Sequence, residues 1–350
     1  MINEKDFDER GYLDANPDVA KAVHAGEFAS GFAHYSLIGH SEGRKFAPRR
    51  NGWLTRLKTM VRNAGNDAGM QRLPALGLQP APSREEKILA PIDKNLRGLE
   101  IGPSHRPIAP KSKGYDVKIL DHLDTEGLRE KYRTHGVDLS AIEEVDFVWS
   151  GEPLSELVGG EKFDWIIASH VIEHTPDLIG FLNECEKILT DTGVLSLAVP
   201  DKRFCFDHFR EITPISRVMD AHLSKTTVHT AGTAADYFLN VTKKGGLIAW
   251  HPAHSGPYEF VHGLPDALAA MKAAEAGQYI DLHAWCFTPS SFRLLVEDLF
   301  ALGLTRLREK QFFDSTTHEF FISLQQGAPG PGCSRMDLLH RKESETHAAA

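Results

Sequence analysis

Two rhythms of apolar residues run along this chain, and they trade places in regular order between residues 98 and 200. Short apolar runs of strand length predict strands around Leu99 and Ile101, and at 115–120, 145–149, 163–168 and 193–199. Between them, stretches with helical spacing predict helices at 124–134, near 153–158 and at 176–189. A short helix from Arg84 to about Ala90, stopped by Pro91, leads into the first strand. Such alternation implies an α/β domain whose parallel sheet is covered by helices on both faces, with ligands bound beyond the carboxyl ends of the strands. The rhythm breaks at 201–286, which reads as a long insertion. It resumes where Thr288 caps and Pro289 opens a helix through Leu302, followed by strands near 304–312 and 317–325.

Outside this core the pattern changes. Residues 1–48 read as a small helical module: Asn16-Pro17 is a helix start, Val19 and Val23 recur at helical spacing, and Phe28, Phe32, Tyr35 and Leu37 form a second stripe. Residues 49–83 read as a linker. Within it Trp53, Leu54, Leu57, Met60 and Val61 lie on one helical face, with Arg56, Lys58 and Arg62 off it. That basic amphipathic helix suits contact with anionic lipid through 49–63, or docking onto the catalytic domain. Residues 326–350 lack apolar periodicity and are expected to be a disordered tail.

Composition narrows the picture only in places. A formal charge of −9 argues against a nucleic-acid-coating surface. The acid-free stretch between Glu42 and Asp67, with its seven Lys and Arg, is a local reversal. No apolar run reaches the roughly 20 residues of a membrane span, and the polar Met1–Arg10 segment does not read as a leader. Cys185, Cys205, Cys286 and Cys333 are scattered, which fits a reduced, cytoplasmic protein, membrane-peripheral if the basic helix meets lipid.

The candidate chemistry starts at Gly98–Pro107. Leu99 and Ile101 form a strand, Gly102 turns, Pro103 ends the ladder, and Asp121 closes the next strand 19 residues after Gly102. A strand, a Gly turn and a carboxylate about 20 residues on is how α/β folds hold a nucleoside ribose. Ser104 and Pro107 stand where a dinucleotide fingerprint needs glycine, which disfavours a hydride-transferring oxidoreductase.

These residues, with Phe163–Asp177 and Thr192–Pro200, resemble the class I S-adenosylmethionine-dependent methyltransferases, small-molecule type, over about Lys87 to Gln325. The resemblance implies a Rossmann-like, seven-stranded, mostly parallel sheet whose last two strands form an antiparallel hairpin, a methyltransferase domain at 84–325, and S-adenosylmethionine as cofactor. It also implies a cofactor site formed by Glu100, Gly102, Pro103, Ser104, Asp121, His122, Ser169 and His170, with Glu152 substituting for the acid that often faces adenine. The amino-terminal module resembles one found in bacterial surface and polysaccharide-related proteins. Together with the His-rich insertion it points to a sugar, glycan or related small-molecule hydroxyl as acceptor.

A hydroxyl nucleophile needs a general base. Asp201, His283 and His170 are the catalytic candidates; Asp281, His208, His222, His229, His251, His254 and His262 are further titratable groups in the insertion. No metal site is expected, since no H-E-x-x-H or close Cys/His pairing occurs. The alternative reading is a non-catalytic scaffold that retains the fold.

Overall fold

The structure is a computed structural model that describes residues 81–347 together with residues 7, 9, 12–13, 16–24, 28 and 30–35. The chain divides into two compact units, Met1–Arg84 and Glu85–Ala350. In the first, helix α1 (Pro17–His24) starts at the expected Asn16-Pro17 and α2 (Gly31–His34) follows. Phe7, Tyr12 and Val19 form its small core, and the carboxylate of Glu9 accepts the amide protons of Gly31 and Phe32 at the start of α2. The expected basic helix at 53–61 lies outside the described residues.

The second unit opens with α3 (Arg84–Leu89) and is built on a seven-stranded sheet in the order β3-β2-β1-β4-β5-β9-β8. Its strands are β1 (Gly98–Ile101), β2 (Val117–Asp121), β3 (Phe147–Val148), β4 (Phe163–Ser169), β5 (Leu189–Pro200), β8 (Leu307–Phe313) and β9 (Glu319–Gln326). The first five are mutually parallel, and β9 runs antiparallel between β5 and β8. This is the α/β sheet that the alternation implies, with the Rossmann-like, mostly parallel arrangement that the resemblance implies.

Buried side chains on both faces explain the near-continuous apolar reading of these strands. Leu99, Ile101, Ile166 and Ala168 pack toward one layer, with Leu178 and Leu182; Val117, Ile119, Trp165 and Ile167 pack toward the other, with Ile88. Gly98 is required by that second layer: a Cβ there would stand 2.1 Å from the Trp165 ring. Register fixes the site, because Ile101 pairs with both Leu120 and Ala168, and Asp121 pairs with Val148. The ends of β1, β2, β3 and β4 therefore open on the same edge.

The crossovers are α4 (Thr125–Tyr132), α5 (Leu154–Leu157) and α6 (Leu178–Ile188), each shorter than its predicted range. The insertion folds into α7 (Ile215–Leu223), α8 (Ala231–Asn240), a two-stranded sheet of β6 (Thr242–Lys244) and β7 (Tyr258–Phe260), and α9 (Leu264–Glu275). Helix α10 (Pro289–Ala301) begins where expected, but the Ser291 hydroxyl caps it by accepting the Thr288 N–H at 2.8 Å, not the Thr288 side chain.

The tail corrects the sequence expectation. Instead of disorder, α11 (Arg335–His347) forms, with Leu338 fully buried, Arg335 paired with Asp298, and Glu345 accepting the Ser290 N–H and hydroxyl. One buried leucine and a few polar bonds to α10 suffice, and neither produces a periodic apolar signal. No helix among the described residues is long and apolar enough to cross a membrane.

Candidate active site

The first strand ends in the loop that the Gly turn announces. Gly102 sits at φ +67°, donates its N–H to Leu120 O at 2.7 Å, and leaves room that a Cβ would close to 3.2 Å from Val171. Pro103 follows, and Ser104, also at positive φ (+51°), donates its N–H to Asp121 Oδ2 at 2.9 Å. Asp121 is buried at the end of β2. Its Oδ1 accepts the backbone N–H of His122 at 2.8 Å and the ring Nδ1 of the same residue at 2.6 Å. The His122 ring is half exposed, and its Nε2 lies 2.9 Å from Lys131 Nζ.

Glu100, expected beside the cofactor, lies near the end of β1. Its carboxylate is buried and accepts Ile108 N–H at 2.7 Å and Ala109 N–H at 3.1 Å, so it ties down the far side of the loop. At the end of β3, Glu152 Oε2 accepts Ser150 N–H and its carbonyl accepts the Trp149 indole N–H at 2.8 Å. That short turn borders the same edge as Asp121.

Ser169 and His170 end β4. His170 has φ +55°, is one-third exposed, and has its Nε2 2.9 Å from Glu319 Oε2 at the start of β9. Sequence reasoning passed over Glu319, because its place beside His170 depends on an antiparallel pairing 149 residues away. It also passed over Asp207, whose carboxylate receives the His283 Nδ1–H at 2.6 Å and pairs with Arg210 at 2.7 Å. Burial alone would push Asp207 up, but His283 and Arg210 hold it well below the usual carboxylate range.

Asp201, expected as a base, is withdrawn from the chemistry. It is fully buried, with both oxygens engaged by Arg203 and Oδ2 also accepting the Ser315 hydroxyl at 2.7 Å.

The histidines of the insertion scatter. His222 pairs with Asp177 at 2.9 Å, His208 with the Arg203 carbonyl and Tyr258, and His254 with the Lys244 carbonyl. His251 Nδ1 accepts Ala253 N–H, and His262 lies against Phe238. His229 is buried, which with the nearby His174 drives its pKa down to about 4. His283 faces the β4 turn, where its Nε2 lies 3.9 Å from Glu173. Asp281, exposed, instead binds His174 Nδ1 at 2.8 Å, and that hydrogen bond draws its pKa down to about 2.

A family profile described as a methyltransferase domain matches residues 75–253, just over half of the chain. The chain belongs to the methyltransferase-domain family. No curated protein sequence matches it. Solved structures similar to this methyltransferase include CcbJ from Streptomyces caelestis (12% identity over 70% of this chain and 89% of that one, TM-score 0.37). A Rhodobacter sphaeroides protein named provisionally as a Zn-dependent alcohol dehydrogenase is also similar (13%, 71% and 90%, 0.37). So is the N-methyltransferase NodS from Bradyrhizobium japonicum WM9 (11%, 69% and 94%, 0.30).

Proposed function

We propose that this methyltransferase uses S-adenosylmethionine to methylate a hydroxyl group of a sugar, glycan or related small molecule. The observation that carries the reading is the juxtaposition of the positive-φ Gly102–Ser104 turn with the buried Asp121 carboxylate, at one edge of a parallel sheet. A glycine without Cβ suits close approach of a ligand to the backbone, and a carboxylate retains acceptor capacity on Oδ2 beyond the Ser104 amide. A ribose diol fits these donors and acceptors once the His122 ring gives up its bond to Asp121. In this reading Ser169 and the Glu152 turn complete the cofactor wall, and Pro103 shapes it.

When bound, S-adenosylmethionine supplies an electrophilic methyl group on a sulfonium. The protein's own work is then to hold the acceptor in line and exclude water. His170 is the proposed general base: it is the accessible imidazole at the end of β4, and Glu319 behind it can stabilise the charge it gains. The insertion at 201–286 is proposed as the acceptor wall. The sugar-type acceptor is supported by the resemblance of the amino-terminal module to those of polysaccharide-related proteins.

Calorimetric titration with S-adenosylhomocysteine tests the cofactor. Wild-type protein binds, Asp121→Ala loses binding by at least about tenfold, and His122→Ala retains it, since that ring only covers the carboxylate. Unchanged binding in folded Asp121→Ala would sink the ribose assignment. For the base, His170→Gln lowers kcat on a methyl-accepting glycan about 10²–10⁴-fold with cofactor affinity intact; an unchanged kcat would remove His170 from the mechanism.

A further inference from the structure

A buried carboxylate that accepts no hydrogen bond is costly, and such groups ask for a cation. Glu173, in the turn after β4, is 1% exposed, and neither side-chain oxygen has a hydrogen-bond partner. Imidazoles surround it at longer range. His283 Nε2 lies 3.9 Å and His170 Nδ1 3.6 Å from Glu173 Oε1, both beyond hydrogen-bond distance. His174 is next in the chain, its ring edge-on to that of His283 with centroids 4.6 Å apart. One ligand-type atom from each of Glu173, His174 and His283 lies within 4.8 Å of the other two.

The backbone holds these pieces together, because Ala284 N–H donates to the Glu173 carbonyl at 2.7 Å and the Trp285 indole donates to Thr175 O at 2.7 Å. Behind each imidazole stands a carboxylate: Asp207 on His283 Nδ1 at 2.6 Å, and Asp281 on His174 Nδ1 at 2.8 Å. A ring nitrogen facing an ionised carboxylate carries the hydrogen, so Nε2 of each neutral ring carries the lone pair. In His283 that lone pair faces the Glu173 carboxylate. Two ligand atoms about 2.1 Å from a shared ion lie about 3–4.2 Å apart, and the 3.9 Å gap falls in that span. A carboxylate that fixes the tautomer of each ligating imidazole is the usual outer layer of histidine metal sites.

We propose that Glu173, His174 and His283 form a site for a divalent transition-metal ion, with Zn²⁺ as the ion of choice. Both histidines ligate through Nε2 and Glu173 through its carboxylate, while Asp281 and Asp207 orient the rings. Two imidazoles and one carboxylate suit zinc or cobalt and disfavour magnesium and calcium, which prefer all-oxygen sets. The neighbouring group of His170, His318 and Glu319 is less suited, because His170 Nε2 and Glu319 already bond each other. A Lewis-acid role toward the acceptor oxygen rests on the methyl-transfer reading above; the binding of the ion does not.

The test uses full-length protein stripped with chelator and titrated with ZnCl₂. Wild type takes up one ion per chain and gains thermal stability. Glu173→Gln, which keeps side-chain volume and removes the buried charge, weakens binding by about 100-fold or more and loses the thermal gain. Asp207→Asn weakens it about 10–100-fold. His251→Gln with His254→Gln leaves it unchanged. Zinc K-edge absorption of the wild type needs no variant, and finds two imidazoles with oxygen ligands. Folded wild type that takes up no zinc, folded Glu173→Gln that binds as well as wild type, or a spectrum with fewer than two imidazoles overturns the proposal. S-adenosylhomocysteine binding is read separately, so failure here is distinguishable from failure of the cofactor assignment.

Discussion

At the residue scale, two aspartates of the same sheet edge show how neighbours divide binding from structure. Asp121 ends β2 against backbone amides and a displaceable, half-exposed histidine. Asp201 follows β5 against a bidentate Arg203 and a serine hydroxyl, sealed from solvent. Removing one member of a buried ion pair typically costs about 3–5 kcal/mol, because the remaining charge is left unpaired. Asp201→Asn should therefore lower the stability measured by urea unfolding by roughly that amount, while kcat of the folded fraction stays within a few-fold of wild type. A large loss of kcat at undiminished stability would restore Asp201 as a catalytic group.

At the element scale, β3 is only two residues long and owes its place to Asp146 just before it. That carboxylate accepts Ile119 N–H of β2 at 2.8 Å and pairs with Lys118 at 2.7 Å and Lys111 at 3.2 Å. Burial works to raise its pKa, but Lys118, the Ile119 amide and Lys111 outweigh it, and the folded value is lowered. A carboxyl whose folded pKa lies below its unfolded value of 3.8 stabilises fully above that value, and the contribution fades as pH falls through the folded pKa. Wild type should therefore be more stable than Asp146→Asn near neutral pH by about 1–3 kcal/mol, with the difference shrinking below about pH 4. Chemical denaturation from pH 7 to pH 2.5 measures it, and a constant difference would refute the assignment. The Glu152 turn follows β3 directly, so this anchor also helps to position that turn.

For the whole molecule, a bound cofactor adds to the stability of the folded state. A ligand present at about 100 times its Kd, bound only by the folded state, adds roughly 2.7 kcal/mol. For a domain of this size that corresponds to an upward shift of roughly 5–10 °C in Tm. S-adenosylhomocysteine should produce it in wild type and not in Asp121→Ala, by differential scanning fluorimetry.

The amino-acid sequence by itself determined the α/β class, the Gly102 turn and Asp121 at the end of β2. Each is written in local periodicity, or in a residue whose backbone preference is intrinsic. Tertiary structure alone decided that Glu100 anchors a loop, that the distant Ser315 hydroxyl closes over a buried Asp201, that the tail forms α11, and that Glu319 and Asp207 stand behind His170 and His283. Those facts depend on contacts between residues 8 to 149 positions apart, where burial and charge pairing leave no local pattern.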